Sequence, residues 1–271
     1  MNDVVLFLAA PAVMCIILAG IHCYLGLHVL ARGVIFVDLS LAQVAAFGAT
    51  VALLCGFDHD GAGSYFISLG ATLVAALLFA LARRHEHRFP QEAIIGITYA
   101  LASAAIVLVV DRMAHGAEHI KELLVGQILW VTWPTVAKTA VIYSVVGLLH
   151  YIYRRQLIAA SFSKDANHQS FWDFVFYALF GVIITSSVRV AGVLQVFAYL
   201  IVPAIVSALY FSTIRGRLIF GWLIGIIFSL GGMWLSYVLD LPSGALIVVC
   251  FTLVPIALLV FRGTASKLEI G

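Results

Sequence analysis

Charge is what this chain lacks most. Of its 271 residues, 10% are Asp, Glu, Lys or Arg, whereas 63% are apolar by a count that includes Ala, Tyr and Cys. A soluble domain of this size carries roughly a quarter charged residues to solvate its surface, so an exterior that faces water all round is excluded. The mean hydropathy of +1.11 agrees. Disorder and fibrous architectures fall to the same numbers. The net charge of +2 is too small for a nucleic-acid surface. Cysteine is also scarce. Cys15, Cys23, Cys55 and Cys250 all lie in apolar stretches without a CxxC pair, which excludes a disulfide scaffold and reads as packing at lipid depth. No G-x-x-x-x-G-K-[ST] phosphate loop is present; if ATP drives this protein, another chain binds it.

What is abundant is long apolar runs. A helix needs about 20 apolar residues to cross the hydrocarbon core, and nine candidate spans run over 4–30, 34–56, 64–82, 93–110, 135–153, 173–190, 192–211, 218–239 and 243–261. The first has no basic n-region and is too long for a signal segment, so it is expected to remain as a spanning helix. The sixth and seventh must be joined by a very tight turn at Ala191-Gly192. Residues 123–133 are too few to span and end at Pro134, which predicts an interfacial or re-entrant piece. The fold class is therefore all-α, a polytopic membrane protein with 1–271 as one transmembrane domain.

Basic residues orient such a protein. Arg32, Arg83, Arg84, Arg88, Arg154, Arg155, Lys164, Arg215, Arg217, Arg262 and Lys267 fall on one side of a nine-span arrangement, and Arg112, Lys121, Lys138 and Arg189 on the other. The richer side is cytoplasmic by this rule, with the N-terminus outside and the C-terminus inside. The longest cytoplasmic connection, 154–172, is polar enough for a short helix parallel to the membrane around S-F-S-K-D-A-N-H.

Several residues are candidates for chemistry. His115, Glu118 and His119 fit H-x-x-E-H, a zinc-protease pattern, but they sit in a short outer connection with no rigid domain around them. A solvated loop, a transient metal contact at an outer mouth and catalysis all remain open, in that order. Arg83-Arg84-His85-Glu86-His87-Arg88 reads as an orientation signal, since its arginines repel a cation. Polar groups inside spans are costly and so carry more weight: His22 in the first, Asp38, Ser40 and Gln43 in the second, Thr185, Ser186 and Ser187 in the sixth and Gln195 in the seventh. Cys15 and His22, seven apart, share a helix face. Asp38, about one turn from Arg32, is a carboxylate suited to a cation route. Glu92 reads as a first-turn negative charge or as part of that route. Gly221 and Gly225 form a G-x-x-x-G compatible with close helix packing.

Five stretches, taken in order, resemble the ABC-3 family of permeases, the membrane subunits of bacterial zinc and manganese ABC importers. They are A-R-G-V-I-F-V-D-L-S-L-A-Q-V-A-A-F-G at 31–48, Q-E-A-I-I-G-I-T-Y-A at 91–100, E-L-L-V-G-Q-I-L at 122–129, G-V-L-Q-V-F-A-Y-L-I-V-P-A at 192–204 and L-S-Y-V-L-D-L-P-S-G-A at 235–245. The resemblance implies a homodimer in the bacterial cytoplasmic membrane and cytoplasmic ATPase subunits docked on the 154–172 coupling segment, with Phe162, Lys164 and Asp165 as contacts. It also implies an extracytoplasmic metal-binding protein that delivers the cargo. The family commonly places an Asp and, four residues later, a His on one face of the second span. Here those positions hold Leu39 and Gln43, with Asp38 one residue away. The expected function is permeation of a divalent transition metal, zinc first and manganese second, with no permanently bound cofactor and no catalysis in this chain. The alternatives are a permease for a metal chelate, a channel or proton-coupled carrier and, from another class, a membrane-embedded metalloprotease.

Overall fold

The computed structural model describes residues 2–58, 61–87, 89–113, 116–162 and 170–268, and among these there is no strand. Ten α-helices follow one another: α1 (Asn2–Arg32), α2 (Val37–Leu54), α3 (Ala62–Arg84), α4 (Gln91–Val110), α5 (Gly116–Val125), α6 (Trp133–Ile152), α7 (Arg154–Phe162), α8 (Ser170–Tyr210), α9 (Ile214–Leu239) and α10 (Ser243–Leu268). Eight of them are long and apolar enough to cross a membrane, all but α5 and α7. The all-α, polytopic expectation holds. The helix count differs from nine because the sixth and seventh segments run together as α8.

At 41 residues α8 would be about 60 Å long if straight, twice the hydrocarbon thickness of about 30 Å. It is not straight. Gly192 has φ 74 and ψ 166, outside the helical region. His22 of α1 lies 3.0 Å from Ser187 Oγ and, ring to ring, 6.3 Å from Tyr199. Twelve residues of straight helix would hold those partners about 18 Å apart, so the chain doubles back at Gly192. Contacts along α1 give the directions: Asp173 meets Arg32 and Ser187 meets His22 before the turn, and Leu200 and Ala204 meet Gly26 after it. The two halves of α8 are therefore antiparallel, the turn expected at Ala191-Gly192, and the one helix supplies two passes.

The turn works because glycine backbone is packed on glycine backbone. A Cβ on Gly192 would overlap main-chain atoms of Leu124, Val125 and Gly126, and a Cβ on Gly126 would overlap Ala191 and Gly192. Gly244, at the start of α10, lies equally close to the Val125 carbonyl. Gln127 N–H donates to Val190 O at 3.2 Å, which ties the segment after α5 to the turn. Three of the five family-like stretches, 122–129, 192–204 and 235–245, thus meet at one point.

Residues 123–133, expected as an interfacial or re-entrant piece, divide between the end of α5 and a short 3-10 turn, Ile128–Trp130. Ile128 is fully buried in the core, while Trp130 is exposed and packs edge-on against Phe7 at 5.9 Å. Helix α5 begins at Gly116, inside the connection expected to be a solvated loop. The 154–172 connection begins with a short helix, α7, held by buried Leu157 and Ala160 against α1; most of the stretch S-F-S-K-D-A-N-H lies outside the described residues. Gly221 and Gly225 bring α9 against Cys23 and Ala19 of α1, the close packing expected of G-x-x-x-G.

Gly192→Ala should lower the melting temperature of the detergent-solubilised protein sharply. A backbone at φ 74 and ψ 166, a region essentially confined to glycine, costs an L-residue about 1–3 kcal/mol, before the overlap with residues 124–126. Gly147→Ala, in open space within α6, should be neutral or stabilising by up to ~1 kcal/mol. Equal melting temperatures for the two variants would count against the tight turn.

Candidate functional site

Helices α2 and α8 are the two spans whose surfaces are mostly covered by the others. Asp38 occupies the first turn of α2, almost completely buried; no side chain among the described residues donates to its carboxylate, which faces its own backbone N–H and that of Leu39. The helix N-terminus favours a negative charge there. One of the orphan N–H groups of that terminus, on Phe36, donates to Glu92 Oε1 at 3.2 Å. Glu92, in the first turn of α4, has its other oxygen buried without a partner, and it lies close enough to act electrostatically on Asp38. Ser40 Oγ is also buried and unpartnered. The first turns of α2 and α4 thus carry carboxylate oxygens that no side chain among the described residues answers. Buried groups of this kind ordinarily pair with a proton donor or a cation.

By helical periodicity Asp38 shares a face of α2 with Ala42, Ala45 and Ala49. Ala45 and Ala49 line a cavity of about 280 Å³ bounded also by Ser68, Glu122, Gln127, Thr185 and Arg189. A lane of small side chains therefore runs from this polar cavity towards the acidic pair. Gln43 is buried but lies five residues on, about 140° round the helix from Asp38. Leu39, at the position where a family Asp is expected, packs against the apolar core.

His22 is buried with both ring nitrogens engaged. Nδ1 lies 2.8 Å from Leu18 O and Nε2 3.0 Å from Ser187 Oγ, which also contacts Tyr143 Oη. It is thus part of a hydrogen-bond chain linking α1, α6 and α8, away from Asp38 in sequence by more than four helical turns. His119 of α5 is buried, with Nε2 3.2 Å from Thr50 Oγ1. Since Thr50 donates its own proton to Ala46 O at 2.8 Å, the His119 N–H is the donor in that pair. Glu118, by contrast, is exposed and lines a separate cavity of about 570 Å³ with Lys121, Glu122 and Asp240. The structure sends the two neighbours in different directions; His115 lies outside the described residues. Among the described residues no three His, Cys, Asp or Glu side chains come together to hold a metal.

Phe162 ends α7 with its ring 5.5 Å from that of His28, and is partly exposed. Lys164 and Asp165 lie outside the described residues. A polar node at the ends of α1, α3 and the start of α8 is not evident from the sequence. Arg32 Nη1 donates to Asp173 Oδ1 at 2.7 Å, and Arg83 Nη1 lies 3.1 Å from the same oxygen. Arg32 and Arg83 had been read only as orientation signals. Asp173, at the foot of a span, was the one sequence cue to a partner for them, but a separation of 141 residues carries no periodic signal.

The comparisons with known proteins agree with this architecture. The profile of the ABC 3 transport family matches residues 5–262. The chain is 24% identical to the chelated iron transport system membrane protein YfeC of Yersinia pestis over 245 residues, covering 88% of this chain and 80% of that one. It is 23% identical to the manganese transport system membrane protein MntC of Halalkalibacterium halodurans over 238 residues, covering 86% and 80%. Its fold is similar to that of a chain in the structure of PsaBC from Streptococcus pneumoniae in complex with Fab, with a TM-score of 0.73, 19% identity, and coverage of 91% of this chain and 88% of that one. With a family profile matched from near one end to the other over a helical bundle of the same fold, the protein belongs to the ABC 3 transport family.

Proposed function

We propose that this chain is the permease subunit of an ATP-driven importer of divalent transition metal ions, working as a homodimer in a bacterial cytoplasmic membrane. The observation that carries the reading is the acidic pair Asp38 and Glu92, met by backbone N–H groups and by no side-chain donor among the described residues, and joined by one face of α2 to a polar cavity. A dication is the natural occupant of such a pair, because it neutralises both carboxylates at once and needs no donor from the protein. Manganese now stands ahead of zinc. The acidic pair offers oxygen donors and no imidazole, since Gln43 stands where a family His is expected and His22 is engaged with Leu18 and Ser187; carboxylates suit manganese, whereas imidazole suits zinc. The manganese and chelated-iron relatives support metal cargo of this class. The name of the iron relative also keeps a metal chelate as the second reading.

ATP is bound and hydrolysed by separate subunits in this scheme. The 154–172 connection, with Phe162, Lys164 and Asp165, docks them from the cytoplasm, and an extracytoplasmic metal-binding protein delivers the ion to the face with Glu118, His119 and the outer cavities. The positive-inside distribution supports an outside N-terminus and an inside C-terminus, and two passes within α8 make the number of crossings odd, as that orientation requires. A metalloprotease is disfavoured because Glu118 and His119 face apart.

Three outcomes test this reading. A topology reporter fused after Leu241 should read outside and one after Arg217 inside; identical readouts would sink the orientation. The purified chain alone should neither bind nor hydrolyse ATP, and hydrolysis should appear on co-expression with its partner ATPase. In liposomes holding that complex and its binding protein, Asp38→Asn and Glu92→Gln should each cut manganese uptake by about tenfold, equivalent to ~1.4 kcal/mol, while the dimer stays folded. Parental uptake by both variants, with zinc, manganese and chelated iron compared in parallel, would refute the acidic site.

A further inference from the structure

The two chain ends that bound residues 163–169 are held by the same pair of arginines. On the near side, Arg32 Nε donates to Ser161 Oγ at 2.9 Å, and Arg83 Nη2 donates to Ala160 O at 2.9 Å. On the far side, both guanidinium groups reach Asp173 Oδ1, at 2.7 Å and 3.1 Å. The Arg32 side chain has no solvent exposure and lies over the Phe176 ring at 4.0 Å, so it has little freedom to move independently of α8. His28 Nδ1 lies 2.8 Å from Ser161 Oγ. With Arg32 Nε donating to that oxygen, the Ser161 hydroxyl proton is available to His28, which adds a second link from α7 to α1.

Arg32 is also the last residue of α1. Gly33, with φ +71, turns the chain there, and six residues after Arg32 comes Asp38. Between them Phe36 N–H is bonded to Glu92. Arg83 stands in the last turn of α3, which packs on both α2 and α8. One end of this arrangement therefore borders the segment assigned to the ATPase, and the other borders the acidic pair.

We propose that Arg32, through its separate bonds to Ser161 and Asp173, is a positioning residue that couples the ATPase-docking segment to the Asp38–Glu92 site, with Arg83 as its second arm. The inference rests on the permease reading above and adds a transmission route to it. Arginine is needed because its planar fork points Nε and Nη1 in different directions and binds two partners at once, where the single ammonium of lysine binds as a point charge. A bundle that needed only helix-to-helix attachment would be served by the Arg32–Asp173 pair. The bonds to Ser161 and Ala160 fasten α7, a helix that does not cross the membrane, to the same point.

The test is a double-mutant cycle in the reconstituted complex of this chain with its ATPase and binding protein. Arg32→Lys keeps the charge opposite Asp173 and gives up the bond to Ser161, and Ser161→Ala removes that bond from the other side. Each should lower the manganese moved per ATP hydrolysed by about tenfold, within the usual range of coupling energies, while basal hydrolysis stays near the parental value and the melting temperature does so in Ser161→Ala. The double variant should be no worse than Ser161→Ala alone, because that change already removes the oxygen to which both Arg32 Nε and His28 are bonded. Parental coupling in Ser161→Ala, additive losses in the double variant, or a parallel fall in hydrolysis and uptake would each overturn the staple. Parental complex that hydrolyses ATP and moves no metal overturns the permease reading and the staple with it, so the two failures are distinct.

Discussion

The ion pair between Arg32 and Asp173 is the constraint on which the rest of this bundle is arranged. Taking a guanidinium and a carboxylate out of water costs several kcal/mol per ion unless each is well paired. Here Arg32 is fully enclosed and meets Asp173 at 2.7 Å, with Arg83 as a second cation at 3.1 Å. Such a pair adds little to stability when compared with a good apolar contact, but losing one partner leaves an uncompensated charge. It therefore fixes register: the C-terminal end of α1, the end of α3 and the start of α8 must arrive at one place. From that point the facing residues along α1 and α8 follow in order, His28 beside Phe176 and His22 beside Ser187.

A second constraint acts at the opposite end of the same helices. The close approach of Gly126, Gly192 and Gly244 leaves no room for a single Cβ. Lipid supplies no hydrophobic drive between helices, so attraction there comes from backbone contact and hydrogen bonds, and a turn within the bundle must satisfy its own polar groups. The Gln127 N–H to Val190 O bond meets part of that requirement. The short α5 segment is thereby pinned over α8 and walls the cavity lined by Ala45, Ala49, Glu122 and Thr185. Closure at the Gly192 end and clamping at the Arg32 end leave α2, carrying Asp38, as the helix enclosed between them.

The acidic pair is where local satisfaction fails. Elsewhere the buried polar side chains of α1 and α8 largely answer one another, as in the chain Tyr143, Ser187, His22 and Leu18. Among the described residues, Asp38, Ser40 and one oxygen of Glu92 have no side-chain partner. Unpartnered buried atoms also occur at Ser64, Ser103, His150 and Gln195, but the set at Asp38 and Glu92 differs in being carboxylate.

Membrane class, helical class, the number of crossings and the tight turn at Ala191-Gly192 were all legible in the sequence, because each depends on local quantities: run length, hydropathy and one residue able to take a positive φ. Family membership was legible too, from five short stretches in order. Asp38 stood out for the same reason, a charge in an apolar run. The partners of these residues were not legible. Glu92 comes to Asp38 across 54 residues of chain and Asp173 comes to Arg32 across 141, and the arginines had a sufficient local explanation as orientation signals. Only packing decided that Glu118 and His119 diverge, and that a short helix forms at Arg154–Phe162 on the strength of Leu157 and Ala160. Hydropathy reports how deep a residue lies in the membrane. The direction it faces, and the side chain it meets there, depend on the rotation of one helix about its axis against another, and that is determined by the whole bundle at once.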